Sequence, residues 1–312
     1  MKTLSKAQFA NALDYISRCA RPLERATASM RYEAGDKQAV LDALRAFQNG
    51  DGGFGHGLEP DVRTPSSSAL ATALALRVLQ ETGTPSRHPM VDSAIQYLVR
   101  TVDRVNARWA VLPPDANDHP HAPWWHDDGE SLARTFDNFQ VIPRALLVSF
   151  LHTYRDLVPA DLLKSVTDQT MNTLLTVPVL GEGGGSDLEY AIELAENPAF
   201  PEELRAQLIA RIELAIPNVI VRDPTRWSSY CLQPIHAVRR PDSIGASSVI
   251  DDVHRNLDYL IASQDPDGSW PLTWNWGASY PEIWPQAENE WRGVVALEYL
   301  KILGAFGRLE RF

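Results

Sequence analysis

Histidine and carboxylate side chains in three segments of this sequence have the chemistry of general acids and bases. One group follows a glycine cluster, the second lies in a loop rich in proline and histidine, and the third lies among tryptophans near residue 290. A carboxylic acid whose pKa is raised by an apolar cavity can donate a proton, and a histidine can act as its partner base. The predicted catalytic residues are His56, Glu59, Asp61, His126, Asp127 and Glu290.

The tryptophans suggest a binding surface near these groups. The chain has nine of them, and most lie in a loop around residue 124 or between residues 270 and 291. Tryptophans clustered beyond helix ends often line a pocket, where they can hold a prenyl chain, stabilise a carbocation or stack on a sugar ring. The alternative is that they only fill gaps between helices. The predicted ligand-binding residues are Trp124, Trp125, Trp274, Trp276 and Trp284.

The composition excludes several classes of partner. The formal net charge of −11 argues against non-specific binding to nucleic acids or anionic membranes, because both need a basic surface. No apolar run approaches the ~18 residues of an integral membrane segment. No signal-peptide pattern follows Met1, and Cys19 and Cys231 make no disulfide framework, so we expect a cytoplasmic protein. The residues indicate neither a particular cofactor nor an oligomeric state.

The elements that must position these groups are helices. Apolar residues recur at helical spacing in about ten segments, joined by loops rich in Gly, Pro, Trp and Asp. Residues 66–68 are three serines that can cap one helix, and Pro217 is expected to close the helix that Pro201 opens. The best β-like run, 218–221, is too short to carry a sheet. Residues 113–129 are predicted to form a long loop, and such loops are often functional.

One pattern occurs twice, over 48–54 and 264–270. In each copy an amphipathic helix ends in Gln, and an Asp-Gly turn, a small residue and an aromatic residue follow. Glycine supplies the positive φ of a tight turn, and Gln can bind free backbone groups at helix ends. The aromatic residue is expected to plug the gap between neighbouring helices. A decayed copy is suggested by 95–98 with Trp109, and the start of another by 292–297.

These copies resemble the QW repeat of squalene–hopene cyclases, oxidosqualene cyclases and the β subunits of protein prenyltransferases. The resemblance implies an all-α fold, an α/α toroid with two concentric helix layers around a central apolar cavity. Because repeats that close a ring leave no linker, residues 1–312 are expected to form a single domain. In those families the repeat braces the fold and performs no chemistry, so it predicts architecture more than function.

The catalytic motifs of those families are not reproduced. Cyclases that protonate an alkene carry Asp-x-Asp-Asp, and this string does not occur here. The segment 127–130 and the pair Asp251-Asp252 are incomplete relatives of the Asp-Asp-x-x-Asp motif that holds magnesium on diphosphate. Cys231 and His236 do not have the spacing of the prenyltransferase zinc site. We therefore assign no metal site.

Three functions remain open from the sequence. The leading interpretation is a stand-alone terpenoid-cyclase-like toroid whose aromatic cavity binds an apolar or isoprenoid-like ligand, as an unconventional cyclase or transferase. The alternatives are a carbohydrate-active toroid with paired carboxylates, and a non-enzymatic toroid that binds a ligand or partner. The repeats favour the first. Because 52–61 and 268–276 follow equivalent turns, we expect the candidate residues to converge at one mouth of the toroid.

Overall fold

The structure is a computed structural model that describes residues 1–129, 143–181 and 186–310. In this part of the chain the regular elements are twelve α-helices and four short 3₁₀ turns, without a β-strand. Isolated β-type pairs occur between single residues, such as Leu4 with Leu309. The all-α prediction is therefore confirmed for the described residues, while the toroid with two concentric layers stays a prediction.

The helices account for the apolar periodicity of the sequence. Their bounds are α1 Lys6–Cys19, α2 Pro22–Tyr32, α3 Lys37–Arg45, α4 Ala69–Glu81, α5 Pro89–Thr101, α6 Arg144–Thr153, α7 Ala160–Thr176, α8 Ser186–Glu196, α9 Glu202–Val219, α10 Pro234–Ala237, α11 Ala246–Ala262 and α12 Trp284–Ala305. The segment 113–129 contains only two single-turn 3₁₀ elements, which agrees with the predicted long loop.

By its contacts the chain divides into two compact units. Unit 1 comprises Met1–Ala43, Gly181–Gly185 and Glu213–Phe312, and unit 2 comprises Leu44–Leu180 and Ser186–Ile212. In unit 1, α1, α2 and α12 pack against one another, and α10 packs against α11. In unit 2, α4 packs against α5 and α6, and α6 packs against α7 and α8. A single domain over residues 1–312 stays a prediction.

Serine caps mark the beginnings of two helices. Ser5 accepts a hydrogen bond from the backbone of Gln8, whose side chain bonds back to Ser5, and this capping box starts α1. Ser68 accepts from the backbone of Ala71 at 2.9 Å and caps α4, as its place among the three serines predicted.

The prediction that Pro217 closes its helix is wrong. Helix α9 contains Pro217 and ends two residues later, at Val219. Proline has no backbone N–H and therefore removes one hydrogen bond from the helix. Because Pro217 lies in the last turn, this single loss does not stop the helix from continuing to Val219. Asn218 donates from its side chain to the carbonyl of Leu214 at 2.8 Å. The β-like run 218–221 is therefore the end of a helix and the turn that follows it.

The core of unit 2 contains polar side chains that hydrogen-bond across its helices. His152, buried on α6, shares a 2.9 Å hydrogen bond with Thr167 and packs edge-to-face on Phe200. Asn197 donates to the carbonyl and hydroxyl of Ser149 at 2.7 and 2.9 Å. Burial, together with the charge of Arg155, lowers the pKa of His152 to about 4, so this histidine is neutral inside the protein. These contacts join α6 to α7 and to the segment that follows α8.

Candidate functional site

The two copies of the repeat form the same hydrogen bonds. Gln48 donates to the carbonyl of the turn glycine four residues later at 3.1 Å, and to the Ser93 hydroxyl on α5 at 2.8 Å. Gln264 donates to its turn glycine at 3.0 Å, and to the carbonyl of Gln8 on α1 at 3.1 Å. Each glutamine therefore braces its turn against a neighbouring helix. The partners differ from those predicted, which were free groups at the helix ends.

The turn glycines lie directly against the backbone of those neighbouring helices. Gly52 and Gly268 have φ of +89° and +94°. A Cβ at Gly52 would lie 2.4 Å from the carbonyl oxygen of Ser93, and one at Gly268 would lie 2.1 Å from that of Asn11. Both the backbone conformation and the space at these positions therefore require glycine.

The aromatic residues that end the two copies are buried, as predicted. Phe54 is 0% exposed and Trp270 is 1% exposed. The Trp270 indole also donates to the carbonyl of Leu260 in the last turn of α11, at 2.8 Å. Trp109 does the same for α5, donating to the carbonyl of Leu98 at 2.9 Å. In the partial copy, the Trp109 indole therefore binds the end of α5 as the Trp270 indole binds the end of α11. The sequence did not reveal this role.

In unit 2 the long loop 113–129 pairs with the segment that carries Asp61. The backbone amide of Ala122 donates to the carbonyl of Asp61 at 2.9 Å, and that of Arg63 donates to the carbonyl of Pro120 at 3.0 Å. Asp61 itself is buried, with 3% of its surface exposed. The structure therefore brings one predicted carboxylate against the loop that holds the predicted histidine.

Two histidines are joined within this loop. His121 is buried, and its Nε2 lies 3.1 Å from Nδ1 of the exposed His126, with the two rings nearly parallel at 5.4 Å. Nδ1 of His121 lies 2.7 Å from the carbonyl of His119 and must donate to it. When His121 is neutral its Nε2 is an acceptor, so His126 donates. His126 is thus held by His121, which was not among the predicted catalytic residues.

The other predicted acid–base residues of unit 2 take part in local turn contacts. His56 is exposed, has a left-handed φ of 55°, and places Nε2 2.8 Å from Oδ1 of Asn49. Glu59 is half-buried. Asp127 is exposed; its amide donates to Oδ1 of Asn117 at 2.9 Å, and its carboxylate accepts from a backbone amide two residues on. Side chains that form turns typically make contacts of this kind. The contacts therefore indicate that His56 and Asp127 stabilise the local turns.

The tryptophans of the long loop differ in exposure. Trp124 is 42% exposed, whereas Trp125 is buried. Both lie in a single 3₁₀ turn, 123–125, so adjacent rings point to different surroundings. Of these two rings, that of Trp124 is the exposed one.

In unit 1 the predicted tryptophans form two groups of rings. Trp274 lies edge-to-face with Trp291 at 5.2 Å and with Tyr230 at 6.5 Å. Trp276 is fully buried and contacts the rings of Trp284 at 5.6 Å and Tyr280 at 6.4 Å. We call the first set, Tyr230, Trp274 and Trp291, the Trp274 group, and the second, Trp276, Tyr280 and Trp284, the Trp276 group.

The Trp274 group is only partly covered. Tyr230 is 61% exposed, and Trp274 and Trp291 are half-buried. The indole nitrogen of Trp274 is buried and has no hydrogen-bond partner among the described residues. Glu290, next to Trp291 on α12, accepts a 2.9 Å hydrogen bond from Gln286. Tyr230 was missed from the sequence because it lies in a loop without periodicity, far along the chain from Trp274.

The predicted site residues fall into both units. Seven lie in unit 2 and four in unit 1. The members in unit 2 are His56, Glu59, Asp61, Trp124, Trp125, His126 and Asp127, and those in unit 1 are Trp274, Trp276, Trp284 and Glu290. Their convergence at one mouth of a toroid involves both units and stays a prediction.

A further polar cluster in unit 2 was not expected. Arg77 on α4 binds Glu193 on α8 through two hydrogen bonds, of 2.6 and 3.2 Å, and lies 5.8 Å from the ring centre of Tyr190. Burial raises the pKa of the Tyr190 hydroxyl, and the carboxylate of Glu193 adds to the effect while Arg77 opposes it. In the sequence, Arg77 lies within the apolar run 69–79.

The described residues contain no group of three or more His, Cys, Asp or Glu side chains placed to hold a metal ion. Glu130, part of the incomplete acidic motif, lies outside the described residues. None of the helices described here has the length and apolar content needed to cross a membrane.

Comparison of the chain with models of known protein families gives no match, and a search of curated proteins gives none either. A proposal for its function therefore rests on its own side chains and their geometry.

Proposed function

We propose that this chain is a squalene-cyclase-type α/α toroid that binds an apolar, isoprenoid-like molecule through aromatic side chains of unit 1. The observation that carries the proposal is the Trp274 group, in which three rings meet edge-to-face and remain partly exposed. Partly covered aromatic rings of this size expose apolar surface whose burial by a ligand is favourable.

The repeat turns support the architectural part of the proposal. Both turns have the same glutamine-to-glycine hydrogen bond, a glycine with φ near +90°, and a buried aromatic residue six positions after the glutamine. Identical hydrogen bonds in two turns far apart in the sequence are expected of a repeated structural unit. The all-helical content of the described residues agrees with this expectation.

The polar surroundings of the Trp274 group favour an apolar ligand over a sugar. A sugar site combines a stacking tryptophan with free polar groups, above all a pair of carboxylates. Here Glu288 forms an ion pair with Arg292, so Glu288 and Glu290 are not a pair of free carboxylates.

The same rings would serve a cyclase or transferase reaction. The face of a tryptophan ring attracts a cation within about 6 Å, and a carbocation formed on an isoprenoid chain would be stabilised in this way. Glu290 is adjacent to Trp291 on α12 and is the carboxylate that we assign as the proton donor or acceptor of such a step.

Extraction of the purified protein followed by mass spectrometry tests the ligand class directly. We expect a copurified isoprenoid or other long-chain lipid in near-stoichiometric amount. In parallel, equilibrium dialysis would compare binding of farnesol with binding of cellotetraose. Saturable binding of the oligosaccharide without binding of farnesol would refute the proposal and support the carbohydrate-active alternative.

Variants of the Trp274 group locate the binding surface. Trp291→Ala removes a partly exposed ring and should weaken farnesol binding about tenfold, since aromatic anchors contribute more than about 1 kcal/mol to binding. Leu214→Ala is the control, because Leu214 is an apolar side chain of unit 1 that is 68% exposed and outside the group. Equal affinities for the two variants would show that farnesol binds elsewhere.

A further inference from the structure

The buried His121 and the exposed His126 form a pair of hydrogen-bonded imidazole rings in the long loop of unit 2. Nδ1 of His121 donates to the carbonyl of His119 at 2.7 Å, so Nε2 of the neutral ring accepts the hydrogen bond from Nδ1 of His126 at 3.1 Å. The second nitrogen of His126, Nε2, therefore carries a lone pair. Within the described part of the chain no residue bonds to this nitrogen. His126 thus presents a nucleophilic nitrogen at the surface.

The surroundings of His121 hold this pair in place. Two backbone hydrogen bonds to the segment 61–63, one on each side of His121, fix its part of the loop. The side chain is only 3% exposed. A nucleophile, a base within about 3.2 Å of it and a third group that orients the base are the parts of a covalent catalytic site. His126, His121 and the carbonyl of His119 have these three places.

His56, also in unit 2, has a similar arrangement without a base. Its ring is exposed, and its Nε2 lies 2.8 Å from Oδ1 of Asn49. The amide nitrogen of Asn49 donates to the carbonyl of Pro65 and to the hydroxyl of Ser67, so Oδ1 is the atom that faces His56. His56 therefore donates from Nε2 and keeps a lone pair on Nδ1. An amide oxygen holds the donor but does not take up its proton, whereas Nε2 of His121 does both.

We propose that His126 is a nucleophile for acyl transfer, which accepts the acyl group of an activated ester, such as an aryl ester or a thioester of an apolar acid. Nε2 attacks the carbonyl carbon, the bond from that carbon to the leaving oxygen or sulfur breaks, and the leaving group departs as an anion. The Nδ1 proton of His126 passes to Nε2 of His121, so the acylated ring remains neutral. The protonated His121 then donates from both nitrogens, to His119 and back to His126.

Water completes the reaction. Its hydroxyl joins the acyl carbon, the bond from that carbon to Nε2 of His126 breaks, and its other hydrogen neutralises the leaving anion. Nδ1 of His126 takes its proton back from His121, and both rings return to their first state. Trp124, two residues before His126, is 42% exposed and offers apolar surface for the acyl chain.

Labelling of the full chain with diethyl pyrocarbonate tests the nucleophile. This acyl donor leaves an ethoxycarbonyl group on histidine, and peptide mass spectrometry measures the rate at each ring. We expect His126 to react at least about tenfold faster than His56, because a positioned base accelerates such a step. His56 is the internal control, since both rings are exposed and each donates one hydrogen bond. Equal rates at the two rings, or no reaction at His126, would refute the proposal.

His121→Gln separates proton transfer from positioning. The glutamine oxygen can hold Nδ1 of His126 but cannot take its proton, so labelling of His126 should slow about tenfold, to the rate of His56. Labelling of His126 in the parent should also be slower in D₂O, a difference that the variant should lack. Unchanged labelling in the variant would refute the proton transfer. If His121→Gln does not fold, the comparison of His126 with His56 in the parent decides.

Release of p-nitrophenol from p-nitrophenyl butyrate measures turnover by the same pair. Both His126→Gln and His121→Gln should lower its rate at least about tenfold. Asp118→Asn, at an exposed position of the same loop, is the control and should release p-nitrophenol as the parent does. Equal rates for the parent and His126→Gln would show that the ester is hydrolysed elsewhere on the protein and would overturn the assignment.

Discussion

Substitution of Gly268 by alanine tests whether the second repeat turn presses on helix α1. A Cβ at Gly268 would lie 2.1 Å from the carbonyl oxygen of Asn11. Gly83, after the end of α4, offers the matched control. It also has a positive φ, of +62°, but nothing lies within 4 Å of the position of its Cβ. The pair therefore separates the cost of the backbone conformation from the cost of steric overlap.

The magnitude follows from these distances. A left-handed backbone costs an alanine about 1–2 kcal/mol, which is all that we expect for Gly83→Ala. At Gly268 a contact of 2.1 Å must open to at least the 3.4 Å of ordinary contact, a movement of 3.4 − 2.1 = 1.3 Å. That movement breaks the hydrogen bond from Gln264 to α1, worth about 1 kcal/mol, and loosens the packing of Trp270. We expect Gly268→Ala to lose about 3–5 kcal/mol of unfolding free energy.

Urea denaturation followed by far-ultraviolet circular dichroism measures both variants against the parent. The Gly268 variant should unfold at a clearly lower urea concentration than the Gly83 variant, with a similar slope. A difference of less than about 1 kcal/mol between the two variants would show that the turn does not contact α1 closely, and the reasoning would be wrong.

Three further outcomes are expected. Trp270→Ala should lose about 3–5 kcal/mol of stability as a large core deletion, whereas Trp124→Ala, at a 42% exposed site, should change the melting temperature little; similar losses would contradict the assigned burial. The pKa of His152 is about 4 when folded, against 6.5 for an ordinary histidine, so the unfolded chain binds the proton more tightly; stability should fall by up to about 3 kcal/mol from pH 6.5 to pH 4. His152→Gln measured over the same range should show a flatter dependence. Ser68→Ala should cost about 1 kcal/mol in thermal unfolding, because it removes the cap bond to the amide of Ala71; no loss would mean that the bond is not formed.

The helices and the two repeat turns could be predicted because their causes are local. The cap at Ser68, the positive φ of Gly52 and Gly268, and the burial of Trp270 each follow from residues within a few positions of one another. Helix caps and tight turns depend on residues that lie only a few positions apart, so their patterns can be recognised in the sequence. The error at Pro217 is also local, because a proline in the last turn of a helix removes only one backbone hydrogen bond and the helix continues for two more residues.

The contacts that make up the candidate sites were decided by tertiary structure. Tyr230 meets Trp274, and Arg77 meets Glu193, across separations that leave no periodic signal in the chain. The loop of His121 meets the segment of Asp61 for the same reason, because packing brings their two segments together. The sequence by itself indicated most of the helical segments, the turns that need glycine and the residue types that could take part in chemistry. Only the tertiary structure decided which of those side chains touch, because contacts between distant segments depend on how whole helices pack and not on the spacing of residues along any one of them.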